Sequence, residues 1–253
     1  MTENRIRDRL VKQGEKLIIA PVKFYNFTGT QEADKLLNDL TKYPHAFVLA
    51  SIMDQQIKAE RAWLIPYQLK RKLGNFKMRT LLSLSAKDVH RLMTKPKPLH
   101  RYNKMSKYLF SGIQRIAEQY KSDASRIWLG KPSSADVIYR FLEFEGVGPK
   151  IATMAANILA RDFKIQFSDY SSIDISVDVH IRRVFRRLQL CPENAEGLQF
   201  TYKARALHPE FPGIMDLPCW EIGRQWCKPG NPECQDCYMS DLCPSANLEI
   251  NPS

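Results

Sequence analysis

Residues 137–160, VIYRFLEFEGVGPKIATMAANILA, hold two apolar helical faces separated by a glycine corner. Val137, Ile138, Phe141 and Leu142 recur at the three- and four-residue spacing of one helix face. Ile151, Met154, Ala155, Ile158 and Leu159 repeat that spacing beyond the corner. Only Glu145-Gly146-Val147-Gly148 lies between them, followed by Pro149 and Lys150. A connection this short predicts a helical hairpin. Gly146 and Gly148 can take positive φ or admit close backbone approach, and Pro149 suits the first turn of a helix, where its missing N–H is no loss. A glycine corner that opens a helix aims unpaired amide N–H groups outward, toward an anionic oxygen such as a phosphate; an ordinary αα-turn uses the same residues.

Working outward, the apolar spacing is helical nearly everywhere, and the chain reads as all-α. On the N-terminal side of the hairpin, Ser133 or Ser134 starts its first helix. Further back, Ala33, Leu36, Leu37 and Leu40 form a stripe behind Thr30, a residue suited to an N-cap. AFVLASIM (46–53) is apolar on all sides, as a buried central helix would be, yet it runs into Asp54, Gln55 and Gln56. Amphipathic helices are predicted at about 58–73, 85–93 and 102–120. The second opens with Ser85 and Asp88, a capping box with Asp in place of Glu. Lys95-Pro96-Lys97-Pro98 predicts a loop, because each proline disfavours helix at the preceding residue.

Two residues C-terminal to the corner carry candidate chemistry. Lys150 falls in the first turn of its helix, where the positive end of the helix dipole disfavours a second positive charge; this favours the neutral amine that a nucleophile or Schiff-base lysine requires. A lysine at such a place is also an ordinary solvated residue. Asp178, in Val177-Asp178-Val179-His180, directly precedes a helix with apolar positions Ile181, Val184, Phe185 and Leu188. It suits an N-cap, and a carboxylate held by helix N–H groups also stays ionised, as needed to stabilise an oxocarbenium ion. That helix carries Arg182, Arg183, Arg186 and Arg187, like charges at i, i+4 twice over, a repulsion that phosphates, solvent or acidic partners would relieve. His180 has no second histidine at metal spacing and reads as a structural or polar contact.

The 253 residues carry 38 Lys and Arg against 27 Asp and Glu, a net charge of +11 that favours a polyanionic partner. The first twenty residues interleave charge with apolar side chains, unlike a signal peptide, and no segment is long and apolar enough to span a bilayer. The expectation is an intracellular protein in a reducing compartment, where clustered cysteines are better read as metal ligands than as disulfides. Cys227, Cys234, Cys237 and Cys243 follow the spacing C-x6-C-x2-C-x5-C. Four thiolates suit tetrahedral zinc or an iron-sulfur cluster. With one close pair only and all ligands in a single loop, a cubane cluster fits better. Cys191 and Cys219 lie outside the pattern and read as buried apolar side chains.

Gly146-Val147-Gly148-Pro149-Lys150, Val177-Asp178-Val179-His180 and the four-cysteine loop, in this order, resemble endonuclease III and its helix-hairpin-helix DNA glycosylase relatives. The resemblance runs from about Tyr43 to Cys243. It implies two helical lobes: a six-helix barrel over 42–165, with the helix-hairpin-helix at about 134–160, and a lobe built from 1–41 and 166–253 that holds the cluster loop 227–243. It implies a monomer acting on double-stranded DNA with a damaged or mismatched base, which is flipped out of the duplex. Lys150 then matches the family's Schiff-base lysine and Asp178 its carboxylate. Gln55, with Gln56 beside it, matches the glutamine that fills the gap left by the flipped base. Gly146, Val147, Gly148, Arg182, Arg183 and Arg186 are the further expected DNA contacts. A 4Fe-4S cluster on the four cysteines would shape a basic DNA-contacting loop.

The implied activity is removal of a damaged pyrimidine followed by strand nicking through β-elimination, in the cytoplasm or nucleoid of a prokaryote or the nucleus of a eukaryote. A mismatch-specific thymine or uracil glycosylase, a purine-lesion glycosylase, and a non-catalytic iron-sulfur DNA-binding or redox-sensing protein are the alternatives. Adenine-specific mismatch enzymes typically lack the lysine and add a C-terminal domain, whereas ten residues follow Cys243 here. Two departures stand out: Pro149 replaces a basic residue, and the link from Lys150 to Asp178 is lengthened by KIQFSDYSSIDIS (164–176).

Overall fold

A computed structural model describes residues 2–22 and 24–246. Thirteen α-helices and no strand occur among them: α1 (Thr2–Ile19), α2 (Gln31–Asn38), α3 (Pro44–Met53), α4 (Ala59–Trp63), α5 (Ile65–Leu73), α6 (Met78–Leu82), α7 (Ala86–Thr94), α8 (Met105–Tyr120), α9 (Ser134–Leu142), α10 (Pro149–Arg161), α11 (Val179–Arg187), α12 (Leu198–Leu207) and α13 (Asp216–Gln225). The all-α expectation holds. The chain separates into two compact units, Met1–Pro21 with Ser133–Ile138 and Ala156–Ser253 (unit 1), and Val22–Pro132 with Tyr139–Ala155 (unit 2).

Unit 2 is organised around α3. All ten of its residues are buried, as a helix without a polar face must be, and α2, α4, α5 and α8 pack around it. Aromatic rings fill the surrounding space: Trp63 stacks on Phe27 at 4.5 Å between centroids and tilts against Phe47 at 5.5 Å. Gly112 of α8 is required by closeness to this helix, since a Cβ there would lie 2.9 Å from Ile52 and 3.2 Å from Leu49. The helix predicted at 58–73 is broken at Leu64 into α4 and α5. Pro66 near the start of α5 has no N–H for the carbonyl of Ala62, so the run cannot continue unbroken. α2 likewise stops at Asn38, short of Leu40, where the Asn38 side chain donates to the carbonyls of Asp34 (2.7 Å) and Tyr25 (2.9 Å). The capping box of Ser85 and Asp88 is formed.

In unit 1, α11 lies along α13, and α1 packs on α13 and on the 3-10 turn Pro212–Met215. Its core includes Ile6, Leu10, Ile181, Phe185, Phe200 and Ile222. The lengthened link 164–176 adopts no helix and is instead pinned by side chains. Ser134 donates to Asp169 (2.5 Å) and accepts from the backbone of Ser172 (3.0 Å), Arg205 grips Asp174 through two bonds (2.7 and 2.8 Å), and Asp216 accepts from the backbone of Ser176. Phe167, Ile173 and Ile175 anchor the same segment in the core.

Candidate functional site

The corner between α9 and α10 forms in unit 2 as the spacing predicts, and its two glycines have different physical reasons. Gly146 takes φ +85, and a Cβ there would lie 2.5 Å from Cε2 of Tyr108 and closer still to Cδ2. Gly148 has no positive φ and nothing within 4 Å of a built Cβ. Its carbonyl accepts the first bonds of α10, from Ile151 (3.0 Å) and Ala152 (3.1 Å). Val147 between them is 9% exposed and pins the corner to the unit. Gly146 thus keeps the turn closed, while Gly148 leaves an open approach to the start of a helix. Lys150 stands exposed in that first turn, its side-chain amine with no hydrogen bond or ion pair among the described residues.

At the end of α3, Gln55 is half-buried and its amide donates to the carbonyl of Ile52 (2.8 Å), whereas Gln56 is exposed with φ +55. A residue that sequence reading passed over holds this turn. His100 is buried; its Nε2 is 3.1 Å from the carbonyl of Gln55, and its Nδ1 accepts from the backbone of Tyr102 (3.0 Å). Those partners require the neutral tautomer with the proton on Nε2, and burial lowers the ring's pKa, consistent with that state. No local pattern marks His100, because its partner is 45 positions away.

In unit 1, Asp178 caps α11. Its Oδ1 accepts from the N–H groups of His180 (2.8 Å) and Ile181 (2.9 Å), which leaves Oδ2 without a hydrogen bond among the described residues. The carboxylate is half-buried and has one oxygen fixed and one available. His180 makes the polar contact expected of it, its Nδ1 accepting from Arg183 (3.1 Å).

The arginines of α11 are placed differently from a uniform cationic stripe. Arg183 donates to the carbonyls of Cys227 (2.5 Å) and Gly223 (2.7 Å). Arg186 donates to the carbonyl of Ala195 (2.8 Å) and lies over the Phe200 ring. Arg187, not among the expected contacts, donates to the carbonyls of Lys228 (2.9 Å) and Pro229 (3.0 Å) and reaches the sulfur of Cys227 (3.5 Å). Its own carbonyl accepts from Ser245 (2.8 Å) and from the thiol of Cys243 (3.6 Å). The like-charge repulsion read from the sequence is therefore relieved by backbone carbonyls, three of them from the cysteine loop. Arg182 makes no such bond among the described residues.

Cys227, Cys234, Cys237 and Cys243 line one pocket together with Val184, Leu188, Ile222 and Trp226. No three His, Cys, Asp or Glu side chains among the described residues converge closely enough to hold a single metal ion. The four thiols that share this pocket are a soft donor set of the kind that holds zinc or an iron-sulfur group. Burial pushes the Cys237 thiol up to about 11, aided by the neighbouring cysteines, and raises Cys243 as well. The loop itself is not basic, contrary to expectation: Lys228 is its one cation, against Glu233, Asp236 and Asp241. Lys228 is paired with Glu233, and Asp241 with Arg9 of α1. Cys191 and Cys219 are buried outside the pocket.

The structure thus gathers Asp178, the α11 arginines and the four cysteines in unit 1, and Gln55, Gln56, the glycine corner and Lys150 in unit 2. No helix among the described residues is long and apolar enough to cross a membrane. A family model described as HhH-GPD superfamily base excision DNA repair protein matches residues 49–209. Endonuclease III of Thermotoga maritima is 25% identical over 158 residues, covering 60% of this chain and 66% of that protein. Endonuclease III-like protein 1 of Gallus gallus is 29% identical over 116 residues, covering 43% of this chain and 36% of that protein. The chain therefore spans less than two thirds of either curated relative. A solved structure described as a non-covalent endonuclease III–DNA complex is similar in fold, with TM-score 0.64 and 15% identity over 99% of this chain and 98% of that one.

Proposed function

Because the chain belongs to the HhH-GPD superfamily of base excision DNA repair proteins, we propose that it is a DNA glycosylase with abasic-site lyase activity that removes a damaged pyrimidine from duplex DNA. The observation that carries this reading is the amine of Lys150. It is exposed, without a partner, and directly follows a corner whose second glycine leaves the backbone open to a phosphate. The named relatives, endonuclease III and an endonuclease III-like protein, support an enzyme of the endonuclease III kind.

In the proposed reaction the flipped nucleotide presents C1′ to Nζ of Lys150. The N-glycosidic bond breaks, and the base leaves with a proton. Asp178, with Oδ1 held by two backbone N–H groups and Oδ2 free, stabilises positive charge on the sugar as that bond lengthens. Nζ bonds to C1′, one of its protons going to the departing base and the other to O4′ as the C1′–O4′ bond opens, and forms a Schiff base with the ring-opened sugar. A base then takes a proton from C2′, the 3′ phosphate leaves, and water releases the lysine. Gln55 or Gln56 fills the space of the flipped base. Cys227, Cys234, Cys237 and Cys243 would hold a 4Fe-4S cluster, which when bound supplies a rigid cross-link and no open position for hydrolysis. Arg183 and Arg187 tie that loop to the helix capped by Asp178.

Borohydride trapping on a duplex with one abasic site tests the nucleophile. The wild type should form a covalent adduct that Lys150→Ala loses. Undiminished trapping in the variant refutes the assignment, and release of no base from any of a panel of lesion-bearing duplexes refutes the glycosylase reading.

A further inference from the structure

The net charge of the chain is distributed unevenly between its units. Unit 2 holds 23 Lys and Arg against 10 Asp and Glu, while unit 1 holds 15 against 17. The positive excess therefore lies entirely on unit 2. Cations of unit 1 near the cysteine pocket are already engaged, Arg183 and Arg187 with carbonyls, Lys228 with Glu233 and Arg9 with Asp241.

Unit 2 also arranges cations on aromatic rings along one continuous strip. The Arg101 guanidinium lies 5.3 Å from the Tyr102 ring centroid. Lys104 Nζ lies 5.9 Å from that ring and 5.8 Å from the ring of Tyr108. One end of the strip is the corner, because Tyr108 is the ring on which Gly146 packs. The other end is the Gln55 turn, because His100 bonds both Tyr102 and Gln55. Arg101 and Lys104 are exposed and have no carboxylate partner among the described residues, and the acid at the corner, Glu145, is held by Lys107 (2.6 Å). Rings that hold exposed cations in place without neutralising them make a surface prepared for phosphates.

We propose that the grip on duplex phosphates is carried by unit 2, with Arg101 and Lys104 as contacts positioned by Tyr102 and Tyr108, and that the cysteine loop takes no part in it. The inference rests on the DNA-acting reading above and names the surface that reading uses. The test is binding of a short undamaged duplex at a series of salt concentrations. Arg101→Gln and Lys104→Gln should each lower the slope of log K against log salt by about 0.9 and weaken binding about eightfold at 0.1 M salt. Lys104→Arg should restore the slope, and Lys228→Gln should leave it unchanged. An unchanged slope in Arg101→Gln and Lys104→Gln, or an equal loss in Lys228→Gln, overturns the proposal. Base release is scored separately: a protein that binds along the strip but releases no base refutes the glycosylase reading and leaves the strip standing.

Discussion

Gly146→Ala and Gly148→Ala should behave as opposites, although the sequence presents the two glycines alike. At Gly146 the added methyl meets two obstacles, a backbone at φ +85 and the Tyr108 ring 2.5 Å away. A non-glycine residue in such a conformation costs about 1–3 kcal/mol, and overpacking against a ring adds about 1–3 kcal/mol. At roughly 2–4 °C per kcal/mol for a chain of this size, the melting temperature should fall by roughly 10 °C. At Gly148 neither obstacle exists, so only the preference for glycine over alanine at a helix start is lost, about 1 kcal/mol or less. Its penalty should appear in affinity for DNA, because the methyl blocks the approach that the open corner allows. Melting curves and duplex titrations on both variants separate the effects. Adding Tyr108→Ala to Gly146→Ala isolates the steric part as a coupling of about 1 kcal/mol or more. Equal stability losses at the two glycines, or no coupling to Tyr108, would refute the assignment of roles.

Asp178→Asn keeps an acceptor for the N–H groups of His180 and Ile181, so stability should hold while base release is lost; Asp178→Ala should lose both, with about 1 kcal/mol of stability gone by denaturant titration. His45 is buried at the start of α3, with Nε2 2.7 Å from the carbonyl of Phe76, and burial lowers its pKa. The unfolded chain therefore takes up the proton first, near pH 6.5, so stability is full above that pH and falls as acid approaches the lower folded value. Urea midpoints measured downward from pH 7.5 should decline in the wild type and decline less in His45→Gln; identical slopes would clear His45 of the effect.

The all-helical architecture, the corner at 145–148, the N-cap role of Asp178, the capping box at Ser85 and the burial of residues 46–53 of α3 were legible from residue order. Each depends on interactions within about one helical turn or on the helical repeat of apolar side chains, and both are written locally. Other features were decided by tertiary structure. Arg183 and Arg187 reach carbonyls some 40 positions away, His100 finds Gln55 at a separation of 45, and Tyr108 adds a second requirement for glycine at Gly146 beyond its positive φ. The same holds for charge: composition reports a basic chain and residue order an acidic cysteine loop, but only folding assigns the positive excess to one unit and braces that loop with Arg183, Arg187 and Arg9. Side chains that meet across the chain share no spacing rule, because their proximity is fixed by how the helices pack and not by the backbone that joins them.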